Sequence, residues 1–151
     1  MPDHKTLTNK KGAGFTLFEI IVSLGILATL AAITIPYTVH LYQSYQIDTE
    51  RTLMLALLRE ARTMSLAGNG SADHGLHVYG SDYTLFEGST YAGRDQSKDE
   101  VFPRESAVTI SGPSDIIFKY LTARTASVSF TLDNGTKTTN IYVNKEGRID
   151  W

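Results

Sequence analysis

Hydrophobic residues form three patterns along the chain, and the first is an apolar run without charge. Residues 20–47 contain no Asp, Glu, Lys or Arg, and residues 20–37 are rich in Ile, Leu, Ala and Val. As a helix, this shorter stretch would be about 27 Å long, close to the hydrocarbon thickness of a bilayer. We therefore predict a transmembrane helix over residues 15–38. Pro36, which lacks a backbone N–H, and Gly25 are expected to be weak points in it.

The second pattern is an amphipathic helix that continues from the apolar run. We predict this helix over residues 39–67, with its apolar face packed on a sheet. The glycine-rich residues 68–71 are expected to end it. The apolar positions that recur at helical spacing are Ile47, Met54, Leu57, Leu58, Ala61 and Met64.

The third pattern consists of short runs with the composition of β-strands. Asp133-Asn134-Gly135 predicts a hairpin between two of these runs, and the polar residues 88–105 predict a long surface loop. The predicted fold class is α+β, with a long N-terminal α-helix, half transmembrane and half amphipathic, packed on a small antiparallel β domain at residues 68–151. The expected strands lie at 76–79, 83–86, 108–110, 116–120, 128–132 and 138–143, with a short last one within 144–150.

Charge and composition restrict the function without defining it. The chain has 14 Lys and Arg against 16 Asp and Glu, a formal net charge of −2, which argues against a general nucleic-acid binder. Lys5, Lys10 and Lys11 precede the apolar run, so the positive-inside rule places the N-terminus in the cytoplasm and the β domain beyond the membrane. The chain has no cysteine, so disulfides do not stabilise the fold.

A short motif at the start of the apolar run carries most of the functional information. Residues 14–19 read GFTLFE, and Glu19 is an acid at a position where lipid would favour leucine. A charged side chain costs roughly 2.5–3.5 kcal/mol at the centre of a membrane helix and less near its end, so such a residue indicates function when a partner exists. The helix macrodipole explains why an acid is tolerated in the first turn, but gives no reason to have one in lipid.

The motif resembles the processing site of type IV prepilins and the related prepseudopilins. This resemblance implies that residues 1–14 are a leader peptide, that prepilin peptidase cuts between Gly14 and Phe15, and that Phe15 is then N-methylated. Glu19 would be the fifth mature residue and would pair, in the bilayer, with the new amino group of a neighbouring subunit. Pro36 would be the twenty-second mature residue, where the family often has proline and where the helix can partly unfold during assembly.

A further resemblance concerns the head of the protein. Residues 53–67 and 141–149 are similar to H-type minor pseudopilins of type II secretion and to related minor type IV pilins, although a major subunit remains open. The resemblance implies a structural subunit, with no enzymatic activity and no cofactor. Its implied partners are prepilin peptidase, other pilin or pseudopilin subunits, an inner-membrane assembly platform and membrane lipid. The implied location is the bacterial inner membrane, with the C-terminal domain periplasmic or extracellular in a pilus or pseudopilus.

Two simpler interpretations of the N-terminus remain open. An ordinary secretory signal peptide also has a basic start and an apolar core, and cleavage near Ala31 or Ala32 would give a secreted β-rich protein. A plain single-pass anchor with an incidental Glu19 would also fit the hydropathy pattern. Neither interpretation explains the junction between Gly14 and Phe15.

Three helix arginines form a second candidate site. Arg51, Arg59 and Arg62 fall near one another on a side of the predicted helix other than its apolar face. The functional interpretation is contact with a neighbouring subunit or with DNA phosphate, as in a DNA-binding minor pilin. The alternative is a solvated face with an internal ion pair to Glu50 or Glu60.

Catalytic and metal-binding chemistry finds little support in the sequence. Asp73, His74 and His77 could be imagined as metal ligands, but nothing fixes a facing geometry, so exposed loop histidines are expected. Asp95 and the acidic pair at 99–100 match no calcium loop and are expected in a solvated loop. The sequence has no nucleophile elbow and no phosphate-binding loop.

Overall fold

The computed structural model describes residues 14–151, apart from the side chains of residues 34–37, 39 and 40. One α-helix, α1, covers Leu17–Ala67, and short 3-10 helices lie at Asn69–Ser71 and Gln96–Lys98. The predicted leader lies outside the described residues except for Gly14. The α+β fold class is confirmed. The strands are β1 His74–Tyr79, β2 Asp82–Glu87, β3 Glu100–Pro103, β4 Thr109–Ser111, β5 Asp115–Phe118, β6 Val128–Asp133, β7 Thr138–Val143 and β8 Ile149–Asp150.

The chain divides into two compact units, one ending at Thr38 and the other covering Val39–Trp151. The helical backbone is continuous through Pro36, whose side chain is not described, so the role of Pro36 in assembly stays a prediction. Within the described residues, no helix has both the length and the apolar character needed to cross a membrane. The transmembrane helix predicted at 15–38 is therefore not confirmed.

α1 ends at Ala67, in agreement with the glycine-rich stretch that follows it. Gly68 adopts a left-handed conformation with φ 72°, and its N–H donates to the carbonyl of Ser65 at 3.3 Å. The buried hydroxyl of Ser65 donates to the carbonyl of Phe118 at 2.9 Å and accepts from the N–H of His74 at 3.0 Å. These bonds join the end of the helix to β5 and β1.

The strands form two four-stranded antiparallel sheets, with strand orders β3-β2-β1-β5 and β4-β6-β7-β8. β1 and β2 form a tight hairpin in which Tyr79 lies opposite Asp82. β6 and β7 form the hairpin that Asn134-Gly135 predicts, with Asp133 opposite Thr138. The chain crosses between the sheets after β3 and again after β4 and β5, so neither sheet is continuous in sequence.

The C-terminal part of α1 packs on both sheets through its predicted apolar face, which is confirmed. Burying a large aliphatic side chain contributes about 1.5–3 kcal/mol, so this face is a major source of stability. On α1 the predicted positions Ile47, Met54, Leu57, Leu58 and Ala61 are buried, and Met64 is partly buried. The sheets contribute Leu76, Tyr83, Leu85, Ile116, Phe118, Phe130, Leu132, Ile141 and Val143 to the same core.

The polar segment 88–105 is a surface loop over most of residues 88–99, as predicted, but its last part forms a strand that its composition does not predict. It contains the 3-10 helix Gln96–Lys98 and the strand β3, in which Glu100 lies opposite Leu85 of β2. β3 is an edge strand, and its side chains are mostly exposed. Edge strands tolerate charge and proline, so hydrophobic alternation does not reveal them.

Candidate functional site

The N-terminal unit exposes its apolar side chains on all sides of the helix. From Phe15 to Ile33, every large aliphatic or aromatic side chain is exposed, by 42% at Val22 and by as much as 79% at Leu17. Consecutive residues of a helix differ by about 100° in direction, so this exposure covers the whole circumference. A helix that is apolar all round requires an apolar environment, such as lipid or other helices.

Thr16 caps the start of this helix, immediately after the predicted cleavage junction. Its hydroxyl oxygen accepts a hydrogen bond from the N–H of Glu19 at 3.2 Å, and its carbonyl accepts from the N–H of Ile20 at 3.2 Å. Gly14 and Phe15 precede the helix and are exposed. The spacing of Thr16 and Glu19 is that of a capping box, a signal that the sequence carries and that the prediction missed.

The carboxylate of Glu19 has no hydrogen-bond or ion-pair partner among the described residues. The hydroxyls of Ser23 and Thr29 are satisfied within the helix, because Ser23 donates to the carbonyl of Glu19 at 2.7 Å and Thr29 to the carbonyl of Ile26 at 2.8 Å. Within residues 14–33, the acid is therefore the polar side chain that is left for a partner outside the chain.

The structure brings together two of the three predicted arginines. Arg59 and Arg62 line a surface groove of about 400 Å³ together with Arg148, which the sequence analysis missed. Arg51 does not line this groove. None of the three helix arginines forms an ion pair within residues 14–151, so the structure does not contain the internal pair to Glu50 or Glu60 that was the alternative interpretation.

Glu50 instead belongs to a buried cluster that the sequence did not reveal. It is 2% exposed, accepts the hydroxyl of Tyr83 at 2.7 Å and the N–H of Glu105 at 3.0 Å, and lies 3.5 Å from Nε of Arg104. Burial and the bond to Glu50 raise the pKa of the Tyr83 hydroxyl far above its usual range. These partners are more than thirty residues away in sequence, so no helical spacing could indicate them.

The histidines are not the exposed loop residues that were expected. His74 begins β1 and is buried, and burial lowers the pKa of its imidazole although the carboxylate of Glu87 lies 3.9 Å away. His77 is half-buried, pairs with Asp115 and stacks on Tyr91 with ring centroids 3.6 Å apart. Strand pairing fixes both rings, which a local loop prediction could not anticipate.

The acidic residues near these elements also have internal partners. Although partial burial acts in the opposite direction, hydrogen bonds from Lys119 at 2.7 Å and from the N–H of Tyr120 at 2.8 Å lower the pKa of Asp73. Both carboxylate oxygens of Asp99 share the N–H at Nε of Arg94, and Asp95 caps the 3-10 helix that follows it. In residues 14–151, no three metal-ligating side chains converge.

Comparison with known proteins gives one match, and it covers the N-terminal candidate site. A family model described as the prokaryotic N-terminal methylation motif matches residues 9–35. No curated protein and no solved structure matches the chain significantly. The motif supports the type IV pilin and pseudopilin superfamily for this chain, and it points to a structural subunit rather than an enzyme.

Proposed function

We propose that this chain is a minor structural subunit of a type II secretion pseudopilus or a type IV pilus. In this proposal prepilin peptidase removes residues 1–14, Phe15 becomes the N-methylated first residue, and the N-terminal helix carries the subunit into the filament. The observation that carries the proposal is the methylation motif at 9–35, which includes the proposed junction and most of the apolar helix.

The exposed apolar helix supports a subunit that moves from lipid into a bundle of similar helices. In the membrane, residues 15–38 would anchor the chain in the inner membrane, with the β-rich head on the periplasmic or extracellular side. The assembly platform and the other pilin or pseudopilin subunits would receive it there. The lipid bilayer and a bundle of similar helices would both shield the apolar circumference of residues 15–33 from water.

Glu19 would set the stagger between neighbouring subunits. Cleavage after Gly14 creates a charged amino group at Phe15, and the carboxylate of Glu19 has no partner within its own described chain. In a low-dielectric bundle, pairing these two charges favours the correct axial position, and a slip that separates them leaves both uncompensated.

The experiment that tests this proposal is the mass of the mature N-terminal peptide, purified from membranes of the native host. We expect a chain that begins at N-methylated Phe15. A chain that begins near Ala32 or Ile33 would show an ordinary secreted protein, and an intact Met1 would show a plain anchor. Either of these results would remove the assembly role of Glu19.

One observation favours a second candidate, a DNA-binding minor pilin. Arg51, Arg59 and Arg62 have no ion-pair partner in the described chain, and two of them share a groove with Arg148. The net charge of −2 opposes this candidate. Retention of the protein on DNA that weakens with salt and with the loss of Arg59 and Arg62 would support it.

A further inference from the structure

The head of the protein carries a surface groove lined by arginines, which we call the arginine groove. It is formed by Arg59, Arg62 and Thr63 of α1 and by the segment Gly147, Arg148 and Ile149 before and within β8. From this geometry we propose that the arginine groove binds a carboxylate-bearing segment of another protein subunit. The proposal names a partner surface and therefore rests on the proposed role as an assembling subunit.

The arginine groove contains guanidinium N–H groups that have no hydrogen-bond acceptor in the described chain. Nε of Arg62 is buried and has no hydrogen-bond acceptor in the described chain, although a buried donor without a partner is unfavourable. The terminal nitrogens of Arg62 also have no hydrogen-bond acceptor in the described chain, and unlike Nε they are not buried. An incoming carboxylate would bind these terminal nitrogens, because the planar guanidinium suits carboxylate geometry.

The two other arginines are also oriented by neighbours at the edge of the groove. The guanidinium of Arg59 lies over the ring of Trp151, 4.6 Å from its centroid. Nε of Arg148 donates to Asp150 at 3.0 Å, which leaves its terminal nitrogens without a hydrogen-bond partner in the described chain. Each guanidinium thus has one contact that restricts its orientation, although both side chains are exposed to solvent.

Local charge and size favour a protein carboxylate over a nucleic acid. Asp150 lies beside Arg148, Glu60 is next to Arg59 in sequence, and the whole chain has a net charge of −2. A nucleic acid needs a basic track along many phosphates, whereas this groove offers three arginines in about 400 Å³. A single carboxylate needs only this local set of donors, so a short acidic segment suits the groove better than an extended nucleic acid does.

The test measures binding of a labelled octaglutamate peptide to the full chain in detergent micelles, by fluorescence anisotropy. An ionic strength of about 10 mM gives a Debye length of about 30 Å, which preserves the attraction. Octaglutamine is the neutral control, and an oligothymidylate of equal length is the nucleic-acid probe. Trp151, the one tryptophan of the chain, provides a second readout because Arg59 covers it.

We expect octaglutamate to bind and to change the fluorescence of Trp151. Arg59→Gln combined with Arg62→Gln should weaken binding by roughly tenfold or more, because charge-assisted hydrogen bonds are lost. Arg59→Gln alone has a matched control in Arg124→Gln, because each removes one positive charge from an exposed arginine and Arg124 lies outside the groove. Circular dichroism of each variant separates lost binding from lost folding, and Arg62→Lys should restore part of the affinity by returning the charge.

Three results would overturn the proposal. Octaglutamate could bind no better than octaglutamine, or Arg124→Gln could weaken binding as much as the groove variants do. Alternatively, oligothymidylate could displace octaglutamate at lower concentration, which would assign the groove to nucleic acid. None of these results depends on cleavage after Gly14, so they are distinguishable from failure of the proposed processing.

Discussion

At the scale of single residues, Glu50 is the side chain whose charge matters most for the stability of the head. It is buried, and it accepts hydrogen bonds from the hydroxyl of Tyr83 and from the N–H of Glu105. It also forms an ion pair with the guanidinium of Arg104. Glu50→Gln keeps the size of the side chain but removes its charge, and it leaves Arg104 without its carboxylate partner. We expect a loss of about 2–3 kcal/mol in the free energy of unfolding, measured by denaturant titration of the full chain in micelles.

The matched control for this prediction is Glu60→Gln, because Glu60 is exposed on the same helix. A surface substitution of this kind should change the free energy of unfolding by about 0.5 kcal/mol or less. Equal effects of the two substitutions would show that the buried cluster around Glu50 does not stabilise the fold.

Residue-level predictions from sequence succeeded where the partner is close in the chain. The spacing of Ile47, Met54 and Leu58 reports one helix face, and that face is buried. One alternative paired Glu50 with an arginine on its own helix, but the structure supplies Arg104, which lies beyond β3. Partners that are distant in sequence leave no local signal, and the same reason explains the burial of His74, since β1 pairs with both β2 and β5.

At the scale of elements, the sequence determines boundaries through residues with special backbone requirements. Gly68 ends α1, and Asn134-Gly135 turns the chain between β6 and β7. The hairpin is also bound to α1, because Nδ2 of Asn134 donates to the carbonyl of Gln43 at 2.6 Å. The turn was predictable from its residue types, but this contact with the helix was not. β3 was missed because its residues are polar and its pairing is with β2 alone.

The end of α1 makes a prediction about Gly68. A Cβ at this position would be strained by φ 72° and would lie 3.2 Å from the side chain of Leu121. Gly68→Ala should therefore lower the free energy of unfolding by more than the roughly 1–2 kcal/mol that left-handed backbone alone costs a residue with a Cβ. Chemical denaturation followed by far-UV circular dichroism would measure the change.

Gly80 is the matched control for the helix end. It has φ 66°, but no side-chain or backbone atom lies within 4 Å of its built Cβ. Gly80→Ala thus reports the backbone strain without the crowding. If Gly80→Ala destabilises the protein as much as Gly68→Ala, crowding of the new Cβ by Leu121 contributes nothing measurable.

At the scale of the whole molecule, the two units require different surroundings. The unit Val39–Trp151 contains a closed core in which helix and both sheets bury their apolar residues. The unit that ends at Thr38 exposes its apolar side chains from Phe15 to Ile33. The head therefore has its own core, whereas the apolar side chains of residues 15–33 remain exposed. The methylation motif matches residues 9–35, which include this exposed stretch.

Substitutions of Glu19 can distinguish two roles: pairing with a neighbouring subunit during assembly, or capping the start of its own helix. Glu19→Gln keeps a residue that suits the capping box but removes the negative charge, whereas Glu19→Val removes both. If the charge pairs with the amino group of Phe15 on a neighbour, both variants should insert into the membrane and both should be depleted from filaments. Loss of one partner of a buried pair costs about 3–5 kcal/mol, which corresponds to far more than a tenfold depletion. The measurement is the filament-to-membrane ratio of the subunit by immunoblot in the native host.

If Glu19 serves only to start its own helix, the variants rank in the opposite order by incorporation into filaments. Thr16→Ala distinguishes the two cases. This substitution removes the cap, at a cost of about 0.5–2 kcal/mol, and leaves the charge of Glu19 in place. Under the pairing mechanism Thr16→Ala assembles nearly as well as the natural chain, since the intersubunit charges are intact. Normal assembly of Glu19→Gln together with failure of Thr16→Ala would instead mean that Glu19 serves to start the helix, and that other contacts set the stagger of the subunits.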